Sequence, residues 1–297
     1  MSWRNNFTEG SMSYIKFVTD SASDIPAPLR EELNIQMLPF SIVMNDRELR
    51  DGVDFEPQDF YRDLTAAPRI PTHSQLTPVV FTDLYESALA EGVTDLIYVA
   101  INSKGSSTYE NAVMTRAQFL QEHPDCGMSI HLVDSKTYTM CYGYAVVLGA
   151  QKAKEGAGVD EVLAVIRDWL DNVGLVFGVY DLKFAKKSGR VSAAAAFLGE
   201  ALGMKPLMTF VDGESTILSK VRGEKSVIPA EIARMKEEMA PNSPYLCIMG
   251  AGTEHNQELA AACQEAFGYP SVMNFYIGGV IAINAGPNLV GIIYRKK

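Results

Sequence analysis

DLIYVAINSKGSSTYENA, residues 95–112, decides the fold. Asp95 to Ile101 is a short, almost wholly apolar run of the kind that forms a strand. Asn102 to Thr108 (NSKGSST) is small and polar, the composition of a turn. From about Tyr109 to Gln121 the chain reads as a helix. The same order recurs on both sides. Tyr14 to Thr19 (YIKFVT) reads as a strand, Asp20 to Asp24 as a polar turn, and a short helical segment then leads to a second apolar run, Ile35 to Met44. Pro78 to Glu91 is helical, with Val79, Phe81, Leu84, Tyr85 and Ala88 near one face. Ser129 to Val133 is a strand closed by Asp134-Ser135 before an apolar helix, Tyr138 to Lys152. Strand, polar turn and helix, three times over, specify a parallel sheet with crossover helices. Ligands of such sheets gather beyond the carboxyl ends of the strands. Those ends carry Asp20-Ser21, Asn102-Ser103 and Asp134-Ser135, and each following helix start offers free N–H groups to an anion. For any one of these turns, helix capping is the ordinary use.

The Gly-rich stretch Glu155 to Asp160 separates two helical segments and divides the chain into domains 14–157 and 158–297, behind a polar leader, 1–13. The second half reads as strands Leu175–Tyr180, Met204–Val211, Thr216–Val221, Tyr245–Gly250 and Ser271–Ile277, with a hairpin at Asp212-Gly213. Helices are expected through Ala193–Ala201, Ile228–Met239 and Gln257–Phe267. Ala266 to Tyr294 lacks charge and exceeds the ~20 residues of a membrane span. Pro270, Asn274, Asn284, Pro287 and Asn288 interrupt it, so Gly279–Asn284 and Leu289–Tyr294 are expected as buried strands around a turn, with no stable membrane insertion. The predicted class is α/β: two α/β domains, the first a parallel sheet flanked by helices, the second a mixed α+β sandwich.

The 297 residues are 47% hydrophobic and 21% charged, too apolar for a disordered chain. Acidic residues outnumber basic ones, 36 to 26, for a net charge of −10, which argues against nucleic acid and an anionic membrane as partners. Cys126, Cys141, Cys247 and Cys263 are widely spaced without a CxxC, so buried reduced thiols in a cytoplasmic protein are expected; the amino terminus shows no signal-peptide pattern. GxxxxGK[ST] and GxSxG are absent. Gly250-Ala251-Gly252 follows a strand, but His255 stands where a dinucleotide fingerprint needs glycine. His73, His123, His131 and His255 form no HExxH, so no metal site is expected.

Pro71 to Pro78 (PTHSQLTP) gathers hydroxyls, an amide and an imidazole into a neutral hydrogen-bonding cradle suited to a carboxylate or carbonyl oxygen. Thr77-Pro78 also fits a helix start, which leaves His73, Ser74 and Gln75 free. With NSKGSST as a second hydroxyl-rich turn beside a large apolar content, the pattern suggests a polar head site and an apolar tail site.

Several segments carry a family resemblance: DSASDIP (20–26), DGVDF (51–55), HSQLTP (73–78), SKGSSTYENA (103–112), VDSKT (133–137), KKSGRVS (186–192), GMKPLMTFVDG (203–213), KVRGEKS (220–226) and NAGPNLVG (284–291). In this order, from about Tyr14 to Tyr294, they resemble the DegV family of bacterial fatty-acid-binding proteins. The resemblance implies a buried acyl chain whose carboxylate is held near the domain interface. The family holds it with the Thr of a TSQ motif and a Ser of an SSxxSGT motif, near the His of an HxGPG motif. Carried over by position, these become His73, Ser106 and Asn284, with Ser74 and Ser107 beside them. Only Ser106 keeps the family's residue type. His73 stands where Thr is usual, Asn284 where His is usual, Ser107 where Gly is usual and Asn288 where the last Gly is usual. The imidazole has thus moved to the other side of the head group, where it can donate and titrate near neutral pH. A shifted or lost lipid preference is the alternative reading.

The resemblance further implies a long-chain fatty acid as ligand, no cofactor, no catalytic residue, and a separate fatty acid kinase as partner. Lys186, Lys187, Arg190, Lys220 and Arg222 form a basic set that would face that partner or a phosphate. Two rivals stand beside the carrier. One is a serine-type acyl hydrolase or acyltransferase using Ser106 with His73 as base, for which no third orienting carboxylate is identifiable. The other, a sugar-phosphate or kinase-related activity, rests on architecture alone.

Overall fold

Every strand–turn–helix unit expected in the first half is present in the computed structural model, which describes residues 14–197 and 203–297. The polar leader and part of the helix expected over Ala193–Ala201 lie outside the described residues. In chain order the elements begin with β1 (Ile15–Asp20), a 3-10 turn (Ser21–Ser23), α1 (Ala27–Glu32), β2 (Ile35–Leu38), β3 (Ser41–Met44) and β4 (Arg47–Arg50). Next come α2 (Pro57–Ala66), β5 (Thr72–Ser74), α3 (Pro78–Ala90), β6 (Asp95–Ala100), α4 (Thr108–Glu122), β7 (Ser129–Asp134) and α5 (Met140–Lys154). The second half contributes α6 (Val159–Asn172), β8 (Val173–Val179), α7 (Ala185–Ser188), α8 (Ser192–Ala196), β9 (Met204–Val211) and β10 (Glu214–Arg222). It ends with α9 (Val227–Glu238), β11 (Tyr245–Met249), α10 (Thr253–Phe267), β12 (Met273–Tyr276), α11 (Gly279–Ala285) and β13 (Leu289–Arg295).

Strands β2-β1-β6-β7 form one parallel sheet, as their apolar runs and helical crossovers require. A six-stranded sheet, β10-β9-β8-β13-β11-β12, is antiparallel except for the β11–β12 pair. Its strands alternate between two cores, as a period of two dictates. Leu175, Phe177, Ile248 and Leu289 face the core shared with the parallel sheet, whereas Val176, Cys247, Val290 and Ile292 pack in a second core with α9 and α10. The hairpin turns at Asp212-Gly213, both at positive φ (50° and 80°), as a tight two-residue connection needs. A small antiparallel sheet, β4-β3-β5, breaks the apolar run Ile35–Met44 in two and gives His73 a strand setting, opposite Ile42.

One expectation is corrected: Gly279–Asn284 is not a strand but lies in helix α11. GVIAIN is short, apolar and β-branched, a pattern shared by buried strands and buried helices. Distant acids settle the choice. The Gly278 N–H donates to Asp24 Oδ1 and the Gly279 N–H to Asp51 Oδ1, each at 2.8 Å, so carboxylates from the first half satisfy the helix's free amino end. The two glycines permit that approach. A Cβ at Gly278 would lie 2.7 Å from Asp24 Oδ1, and one at Gly279 2.8 Å from the side chains of Ile42 and Phe55. Among the described residues no helix is long and apolar enough to cross a membrane.

Candidate ligand-binding site

The carboxyl ends of the parallel strands meet one face of the six-stranded sheet, and a cavity lies between them. Ile101 and Ser106 enter it from the β6–α4 turn, Tyr138 and Thr139 from the β7–α5 turn, and Leu175, Phe177, Phe210, Ile248 and Leu289 from the opposing sheet. Helix α11 adds Val280, Ile281, Asn284 and Ala285. The space between atoms, open mouth included, is about 750 Å³. The walls are overwhelmingly aliphatic and aromatic. The polar exceptions include His73, Ser106, Arg190 and Asn284.

The two polar turns of the sequence are joined to each other. The Leu76 N–H donates to Thr108 Oγ1 at 3.2 Å, and Asn111 Nδ2 donates to the Leu76 carbonyl at 2.7 Å. Thr77 occupies the N-cap position of α3 without a side-chain capping bond. The Ser106 hydroxyl donates to Thr108 Oγ1 at 2.9 Å. On the far side, Asn102 Nδ2 reaches both the Tyr138 hydroxyl and the Gly213 carbonyl at 2.8 Å, fastening the β9–β10 hairpin to the first half.

His73 and Asn284, far apart in the chain, meet at 2.9 Å between Nε2 and Nδ2. Asn284 Nδ2 also donates to the Val280 carbonyl at 2.7 Å. With both amide hydrogens so placed, His73 Nε2 accepts, and its Nδ1 carries the ring proton. Burial lowers the His73 pKa, as does the nearby Arg190 charge, while the Asn284 bond opposes them. Both effects favour the neutral ring.

Ser74 and Ser107, expected beside the head group, are turned to solvent and lie off the cavity wall. Ser74 follows His73 on a strand and so points to the other face. Ser107 holds the N-cap position of α4. The basic set is not one cluster. Arg190 lies on the cavity wall itself, Lys220 and Arg222 are exposed on β10, and Lys220 Nζ sits 5.7 Å from the Phe197 ring centre. A groove that shares His73, Arg190 and Asn284 with the cavity is also lined by Arg69, Lys183 and Lys187, with no carboxylate among its lining residues. Arg69 and Lys183 carry no pattern that would have singled them out. The four cysteines are free thiols, three of them buried. Among the described residues one group could chelate a cation, Glu86, Glu122 and His123 near the carboxyl ends of α3 and α4, with ligand atoms within 4.8 Å of one another.

Three acids are buried beside the cavity: Asp20 and Asp24, which the sequence presented as turn residues, and Asp51. Asp20 accepts from the Tyr142 hydroxyl at 2.6 Å, the Tyr98 hydroxyl at 3.1 Å and the Ile101 N–H at 2.9 Å. Burial outweighs these bonds and raises its pKa from 3.8 to about 6. Burial raises Asp24 and Asp51 as well. A carboxyl with a raised folded-state pKa adds stability that is fully present below its unfolded value and is lost as pH rises through the folded one. The urea midpoint of the wild type, relative to Asp20→Asn, is therefore expected to fall between pH 4 and pH 7. A difference independent of pH would contradict the assignment.

A family model described as "Uncharacterised protein, DegV family" matches residues 14–297. A DegV domain-containing protein of Clostridium perfringens is 30% identical over 286 residues, covering 95% of this chain and 99% of that protein. One from Caldanaerobacter subterraneus is 29% identical over 289 residues, covering 96% and 100%. Among solved structures, a DegV family protein from Thermus thermophilus described for its fatty acid binding matches with a TM-score of 0.82 at 26% identity, covering 96% of this chain and 100% of that one. A stearic-acid-binding protein from Eubacterium ventriosum matches with a TM-score of 0.84 at 22% identity, covering 96% and 98%, a likeness of fold.

Proposed function

The chain belongs to the DegV family, and from that premise we propose that it binds a long-chain fatty acid and carries it in the cytoplasm. The observation that carries this reading is an apolar cavity with His73, Asn284 and Arg190 where it meets an open basic groove. The acyl tail fills the apolar part, where each buried methylene contributes about 0.8 kcal/mol. The carboxylate lies at the polar end, beside His73 Nδ1–H and the Arg190 guanidinium, and the Ser106 hydroxyl joins them by turning from Thr108 Oγ1. Charge-assisted bonds of this kind contribute about 1.5–3 kcal/mol each and fix which end of the lipid points outward.

The groove supports a reading in which the carboxylate is presented to a fatty acid kinase. A carboxylate between His73 and Arg190 faces a channel lined by Arg69, Lys183 and Lys187, and a phosphoryl group added to it would enter that positive field. The partner of His73 favours the carrier over the acyl hydrolase. The ring that would serve such an enzyme as base is engaged by Asn284.

Organic extraction of the purified protein followed by mass spectrometry tests the reading. One long-chain fatty acid per chain is expected. An extract free of fatty acid, from protein that also fails to take up palmitate and oleate after delipidation, would overturn it.

A further inference from the structure

Asp24 makes two hydrogen bonds that reach into different halves of the chain. Its Oδ2 accepts from Thr139 Oγ1 at 2.5 Å, and its Oδ1 accepts from the Gly278 N–H at 2.8 Å. Thr139 lines the cavity, is 4% exposed, and has φ +53° and ψ −151°. A β-branched residue rarely enters that region, and such a conformation persists only where its surroundings over-determine it. Gly278 leads into α11, whose Val280, Ile281 and Asn284 belong to the wall on the other side of the chain's division. Asp24 itself sits at φ +54°, closing the 3-10 turn after β1. Asp51 takes the neighbouring Gly279 N–H, but its other oxygen is held by the Ser21 hydroxyl, so it reaches no part of the Thr139 wall by a hydrogen bond.

We propose that Asp24 is a positioning residue for the ligand cavity, clamping the strained Thr139 of one wall to the amino end of α11 in the other, so that Asn284 is delivered to His73. Without the carboxyl, Thr139 is free to relax toward ordinary backbone angles, and α11 keeps one capping acid of two. The walls then shift relative to each other and the polar end loses its registration. As to the ligand, this inference rests on the fatty-acid reading; as to the clamp, it does not.

The test pairs palmitate affinity with amide hydrogen exchange of the ligand-free full-length protein. Asp24→Ala is expected to weaken palmitate binding about ten-fold or more and to speed exchange of the α11 amides, while those of β1, β6 and β7 keep their protection. Asp24→Asn retains Oδ1 for Gly278 and offers an amide N–H to the Thr139 oxygen, so it should bind within about three-fold of wild type. Thr139→Val, which replaces the hydroxyl by a methyl group and leaves the Asp24–Gly278 bond in place, should weaken palmitate binding as Asp24→Ala does and serves in its place for affinity if that variant does not fold. Wild-type affinity in the variants that break the clamp overturns the proposal. So does Asp24→Asn binding as weakly as Asp24→Ala, or exchange that accelerates evenly through the parallel sheet and α11. Failure of the wild type to bind palmitate would count against the fatty-acid reading alone, and the exchange pattern would then decide the clamp.

Discussion

Ala285→Trp is expected to cost about a hundred-fold or more in palmitate affinity while leaving a folded protein. Ala285 ends α11 and lines the cavity, whose walls are almost wholly apolar. An indole projecting from this position occupies space that the acyl chain needs. Excluding only four methylenes removes about 3 kcal/mol at ~0.8 kcal/mol each, already a factor of more than a hundred. The fold loses less, because the new side chain enters existing space; overpacking of this kind costs about 1–3 kcal/mol. Titration with a fluorescent fatty acid and a thermal melt would separate the two effects. Binding within three-fold of wild type would mean that the acyl chain lies elsewhere.

The residues behind this prediction differ in how far the sequence disclosed them. The parallel half was legible because each strand, turn and helix is local, and the apolar runs at 95–101 and 129–133 have no better partner than one another. Helix α11 was not, because the groups that cap it, Asp24 and Asp51, lie 254 and 228 residues from the N–H groups they bind. A window over GVIAIN contains neither. The head-group residues divide in the same way. The polar turns around His73 and Ser106 stood out by composition, and the family resemblance added Asn284. Single-residue choices within those turns depend on strand phase and on where a helix starts, which is why Ser74 and Ser107 face solvent beside neighbours that do not. Arg190 carried a signal only as one of several cations near KKSGR. Its place on the cavity wall depends on the turn that follows α7, where Arg190 N bonds Ser188 Oγ at 3.1 Å and its guanidinium bonds the Ser188 carbonyl at 3.0 Å.

Binding of a fatty acid is expected to raise the His73 pKa, and by linkage to make affinity depend on pH. Burial lowers the pKa of the ring from its ordinary value, and the Arg190 charge adds to that depression. A carboxylate brought against the ring reverses the balance, because an adjacent anion favours the imidazolium. The ring then needs a partner for a protonated Nε2, and Asn284 supplies one by giving up its Nδ2 bond to the Val280 carbonyl and swinging Oδ1 toward the ring. A histidine at 284 could accept there only while its facing nitrogen stayed unprotonated, so the exchange of residue types at 73 and 284 keeps a titrating group beside the ligand without setting two cations face to face. The sign of the linkage follows. The complex binds more protons than the free protein, so affinity rises as pH falls from the His73 pKa of the complex to that of the free protein, and is flat on either side while the fatty acid itself remains ionised. NMR titration of the His73 ring with and without palmitate measures both values directly. His73→Gln, which keeps a donor but cannot titrate, should flatten the pH profile, and Arg190→Gln should raise the free-protein pKa while weakening binding. Identical His73 pKa values in the two states would place the carboxylate away from the ring.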